Sequence, residues 1–126
     1  MNMLKNTNRL KMVIVDFDST LFDTNKANYN SYRNTFKYYG VKFNYSIFRS
    51  FSGLNKKDFY KKVMGKKATK IFDEIYEKKK LFYLKNLKYI KINFQLMSIL
   101  QILKKNKIII CLVSNASKES VNLVLK

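Results

Sequence analysis

Two aspartates, Asp16 and Asp18, stand two residues apart in the run Val15-Asp16-Phe17-Asp18-Ser19-Thr20-Leu21-Phe22-Asp23. In an extended chain, residues i and i+2 project their side chains from the same face. Two neighbouring carboxylates repel unless a cation or a proton lies between them. Such pairs hold a divalent ion through oxygen, or they move protons. As an isolated tripeptide, Asp-x-Asp is a solvated turn, but its surroundings argue for more. The apolar run Met12 to Val15 leads into it, Thr20 follows closely, and a second apolar run, Ile108 to Val113, ends in Ser114-Asn115. In an open parallel sheet ligands bind at the carboxyl ends of the strands, where Asp16 and Ser114 both fall.

Other routes to chemistry are closed by composition. The 126 residues include no His, which excludes Ser-His and Cys-His dyads and any His-ligated metal. A single Cys excludes an internal disulfide framework and a multi-cysteine zinc site. Cys111 lies inside the second apolar run and reads as a buried structural thiol. The apolar stretch near the N-terminus is too short for a signal-peptide core, and no run approaches a membrane span. The expected location is the cytoplasm.

The elements that must position the aspartates follow from periodicity. Met12 to Val15 is short, apolar and β-branched, which predicts a fully buried strand as in parallel sheets. Residues 1–10 read as a loose tail. Asp23 or Thr24 can cap a helix along which Tyr29, Tyr32, Phe36 and Tyr39 recur, with Gly40 as its stop. Shorter helices are predicted over Ser46 to Ser52 and from Asn55 to Gly65, then a longer one over 67–84. In that helix Lys79 interrupts the apolar side and must lay its stem along it. Tyr89 to Ile92 reads as a brief extended segment. Phe94 to Lys105 carries Leu96, Ile99, Leu100 and Leu103 at helical spacing. Lys107 to Val113 predicts a second buried strand, and residues 117–125 a last helix. The layout is an α/β core interrupted by a helical insert, with parallel strands joined through a crossover.

At this point the chain resembles a known family. Asp16-x-Asp18-x-Thr20-Leu21-x-Asp23-Thr24 is similar to motif I of the haloacid dehalogenase superfamily of phosphohydrolases, and Ile108 to Asn115 to its motif II strand with the terminal serine. The insert resembles the α-helical cap of the phosphoglycolate phosphatase and β-phosphoglucomutase branch. The resemblance implies a Rossmann-like parallel sheet, here with its first two core strands, divided as residues 1–23 with 87–126 for the core and 24–86 for the cap. It implies Asp16 as nucleophile, forming an aspartyl-phosphate, and Asp18 as acid–base. It implies Mg2+ held by the Asp16 carboxylate and the Asp18 backbone carbonyl. Thr20, Ser114 and Asn115 then steady the loop and hold the phosphoryl oxygens, and the substrate is a small phosphorylated metabolite. Ser19 stands where relatives often carry Gly. The resemblance further implies a motif III lysine and motif IV acidic residues, which do not follow Ser114 here. The chain is therefore expected to be the N-terminal portion of a phosphatase.

The charge supports a different reading. Lys and Arg number 26 against 8 acidic residues, a net +18, and only three of the 26 are Arg, the residue suited to bidentate phosphate contacts. Together with abundant Asn, Ile, Phe and Tyr, the lysines fit a coding bias toward A and T. The alternative is a non-catalytic basic module that binds nucleic acid or another polyanion through salt-sensitive contacts.

Overall fold

The computed structural model describes residues 10–126; the expected N-terminal tail falls mostly outside them. The chain forms two compact units. One comprises the segment through Thr24 together with Ile90–Lys126, the other Asn25–Tyr89.

In the first unit, β1 (Met12–Asp16) pairs in parallel with β4 (Ile109–Val113), Met12 opposite Ile109 and Asp16 opposite Val113. The ladder continues one bond further, where the Phe17 amide donates to the Val113 carbonyl at 2.9 Å. The brief extended segment expected over Tyr89 to Ile92 is present as β3 (Lys91–Ile92), and it pairs antiparallel with β2 (Phe22–Asp23), a partner the sequence pattern did not predict. Helix α6 spans Phe94–Lys105 and is capped by Asn93, whose side chain accepts from the Leu96 amide at 3.0 Å. Helix α7 spans Lys118–Leu125 and is capped in the same way by Ser117.

The expectation of fully buried strands is corrected. Both strands alternate, because α6 and α7 cover only one face of the sheet. On that face Val13, Val15, Ile110 and Leu112 pack with Phe17, Leu21, Phe22, Leu100 and Val121. The other face carries Met12, Ile14, Ile109 and Val113, which are 47%, 66%, 58% and 46% exposed. Cys111 lies opposite Ile14 on this open face and is exposed, not buried. An apolar run reports a strand but not how many of its faces are covered. Ile99 likewise points outward at 53% exposure, and the covered stripe of α6 runs through Leu96, Met97, Leu100 and Leu103.

The second unit is helical: α1 (Asn25–Tyr38), α2 (Tyr45–Ser50), α3 (Lys56–Met64), α4 (Lys67–Lys70) and α5 (Phe72–Asn86), followed by a 3-10 turn, Leu87–Tyr89. Asn44 and Asn55 cap α2 and α3 by accepting from the amides of Ile47 and Asp58. The single helix predicted over 67–84 is two. Ile71 leaves helical geometry at φ −118°, ψ 26°, and a new N-terminus opens with Asp73 and Glu74 in its first turn, where carboxylates favour the positive end of the helix dipole. The core holds Phe36, Phe59, Tyr60, Met64, Ala68 and Ile75, surrounded by packed aromatic rings. Lys79 does lie along the apolar side: its ammonium donates to Asn28 Oδ1 at 2.9 Å and sits over the rings of Tyr32 and Tyr83.

Candidate functional site

The site begins where β1 ends. After Asp16 the chain turns sharply. The Ser19 amide donates to the Phe22 carbonyl at 2.8 Å, and the Phe22 amide to that of Phe17 at 3.0 Å. Ser19 closes the turn at φ 62°, in the left-handed region that favours glycine. Phe17, Leu21 and Phe22 anchor the loop as buried side chains, leaving the intervening polar residues to face outward. Asn93 ties the loop to the start of α6, its amide bonding the Leu21 carbonyl and its side chain the Thr20 carbonyl.

Four of the five residues expected at the site share side-chain hydrogen bonds at this end of the sheet. Asp16 is exposed at the end of β1 and receives the Thr20 hydroxyl at 3.5 Å, the outer limit of a hydrogen bond. Asp18 is half-buried. Its Oδ2 accepts from the Ser114 hydroxyl at 3.0 Å, a bond spanning 96 residues of sequence that joins the ends of the two strands. Ser114 Oγ in turn accepts from the Ala116 amide at 3.0 Å. Asn115 is exposed in the bend directly after Ser114.

The sequence reading missed one member. Thr24, read there as a helix cap, is buried, and its hydroxyl donates to Asp18 Oδ1 at 2.7 Å. Each Asp18 oxygen thus holds one hydroxyl donor, which fixes the carboxylate against rotation. The only signal available in sequence was the fixed spacing of Thr24 after Asp18 within the motif.

Two strand ends and the loop after β1 bring a pair of carboxylates, three hydroxyls and the bend after Ser114 to one edge of a parallel sheet. That arrangement defines an α/β protein with an oxygen-lined site at the carboxyl ends of its strands. The sequence profile of haloacid dehalogenase-like hydrolases matches residues 13–126, so the chain belongs to that family. Among solved structures it is similar to a protein assigned as a phosphoglycolate phosphatase from Lactobacillus plantarum (TM-score 0.77, 14% identity), covering 92% of this chain and 55% of that one. It is also similar to a family IA HAD hydrolase from Entamoeba histolytica (0.77, 18%), covering 92% and 54%. A third is a protein assigned as a β-phosphoglucomutase from Thermotoga maritima (0.67, 21%), covering 92% and 55%. The chain therefore spans about half the length of these structures, and at such identities the likeness shows the fold: a Rossmann-like core with a helical cap. No curated protein sequence matches it.

Proposed function

We propose that this chain carries the nucleophile, the acid–base and part of the phosphate cradle of a phosphohydrolase acting on a small phosphorylated metabolite. The observation that supports this most is the Asp18–Ser114 bond, which unites the two family motifs at one sheet edge. Asp16 is the exposed carboxylate, open to attack phosphorus and form an acyl phosphate. Asp18, half-buried and held by two hydroxyls, is the group set to protonate the leaving oxygen and later to take a proton from water. Ser114 and Asn115 flank the space where phosphoryl oxygens would lie, with the Ser114 hydroxyl exchanging its bond to Asp18 for one to phosphate. Thr20 braces Asp16.

The donors fit Mg2+. Among the described residues no group of three or more His, Cys, Asp or Glu gathers, which argues against an all-protein cage. The Asp16 carboxylate and the Asp18 carbonyl are hard oxygens, and one or two such ligands completed by water and phosphate are usual for this ion. When bound, the ion offsets repulsion between the Asp16 carboxylate and the phosphate. The residues in Asn25–Tyr89 are assigned as the cap, and the cytoplasm as the site of action. Among the described residues no helix is long and apolar enough to cross a membrane.

The test is hydrolysis of p-nitrophenyl phosphate with magnesium. Magnesium-dependent turnover is expected to fall to background in Asp16→Asn, while turnover that this substitution leaves unchanged contradicts the assignment.

A further inference from the structure

The helical unit has a concentration of positive charge on α1 and the loop that follows it. Tyr29, Arg33 and Lys37 fall at i, i+4 and i+8 and so share one face of α1. Gly40 turns the chain at φ 71°, and the returning strand of loop lays Lys42 and Phe43 beside that face. Together Arg33, Lys37, Gly40, Val41, Lys42 and Phe43 line an open groove of about 410 Å³, within the size range of small-ligand sites. Among the described residues no carboxylate lines it. The Arg33 guanidinium lies 5.7 Å from the centre of the Tyr29 ring, which orients it without neutralising it.

Lys37 alone has a simpler role, since a cation in the last turn of α1 suits the negative end of the helix dipole. That role needs one cation and does not account for Arg33 or Lys42. Three cationic residues lining one concavity, with the Arg33 guanidinium over the Tyr29 ring, match an anion with several charged oxygens. We propose that this groove binds a phosphate-bearing anion of multiple charge, an oligophosphate group, independently of the phosphohydrolase site.

Charge alone is a poor guide here, because residues 25–89 hold 17 lysines and arginines against four carboxylates. The experiment therefore compares two variants of equal charge. One replaces Arg33, Lys37 and Lys42 with Gln; the other replaces Lys61, Lys66 and Lys70, all exposed, with Gln. Binding of inorganic triphosphate to the whole chain is followed by calorimetry and by amide chemical shifts, without magnesium. The expected result is saturable binding that moves the amides of Gly40 to Phe43. The groove variant should lose about tenfold or more in affinity and the control less than about twofold, the contrast between a site and a screened surface. Equal losses in both variants overturn the proposal in favour of diffuse attraction. Shifts confined to Ser114 to Ser117 overturn it in favour of the phosphohydrolase site. Binding of a short oligothymidylate but not triphosphate overturns it in favour of an extended nucleic-acid surface.

Discussion

The Thr24 hydroxyl donates to Oδ1 of Asp18 at 2.7 Å, and Thr24 is the last residue of the sheet unit before α1 begins. The carboxylate proposed as acid–base is thus gripped by the residue at which the chain passes into the helical unit. Thr24→Val keeps the shape and removes the donor; Thr24→Ser keeps the donor. If Thr24 orients Asp18 for proton delivery, Thr24→Val lowers kcat/KM for an alkyl phosphate by about tenfold or more. The loss for p-nitrophenyl phosphate is smaller, because that leaving group departs without a proton. Thr24→Ser restores the alkyl ester rate. Equal losses on both esters would point to a general structural effect instead.

Ser19 adopts left-handed geometry with a side chain that disfavours it. Replacing it with Gly relieves strain of about 1 kcal/mol, partly offset by the greater freedom of unfolded glycine. Ser19→Gly is expected to raise the melting temperature by about 3 °C or less and Ser19→Val to lower it. The check is calorimetry of the three proteins side by side.

Tyr60 is fully buried, and among the described residues its hydroxyl has no hydrogen-bond partner. An unsatisfied buried hydroxyl costs about 1–3 kcal/mol, so Tyr60→Phe is expected to leave stability unchanged or increase it. Phe36→Ala, in the same cluster, removes a ring that is also fully buried and is expected to cost about 3–5 kcal/mol. Urea titrations of both variants separate the two cases.

Burial in this cluster also sets an alkaline limit. Desolvation, with a smaller contribution from Tyr76, pushes the Tyr32 phenol from its ordinary 10.0 up to about 12. Tyr60 is pushed up as well, by the same cause first. A phenol whose folded pKa is raised stabilises the fold fully below its unfolded value and loses that contribution as pH climbs toward the folded one. Stability should fall between pH 10 and about 12, and Tyr32→Phe should blunt that decline. A flat profile in the wild type contradicts this account of the cluster.

Much of this organisation was legible in the residues. Asn55 and the glycines at 40 and 65 marked helix ends because capping and positive φ are local demands. Asp16, Asp18, Thr20 and Ser114 were legible because strand ends and motif spacing place them. What escaped depended on tertiary context. Which face of a strand is covered depends on helices far along the chain, so Cys111 was misread as buried. The break at Ile71 and the Thr24–Asp18 bond arise from geometry that no short-range pattern encodes.

The exposed face makes its own prediction. Cys111 should react with a thiol reagent such as Ellman's reagent in the native protein nearly as fast as in denaturant. Strong native protection would show that the face is covered in solution.

The central claim is phosphoryl transfer to Asp16. The most direct measurement is mass spectrometry of the chain after incubation with acetyl phosphate and magnesium, quenched in acid and mapped by peptide. One phosphoryl group, cleaved by hydroxylamine, is expected on the peptide bearing Asp16, absent in Asp16→Asn and in chain lacking magnesium. No phosphoryl group, or one that persists in Asp16→Asn, would contradict that claim.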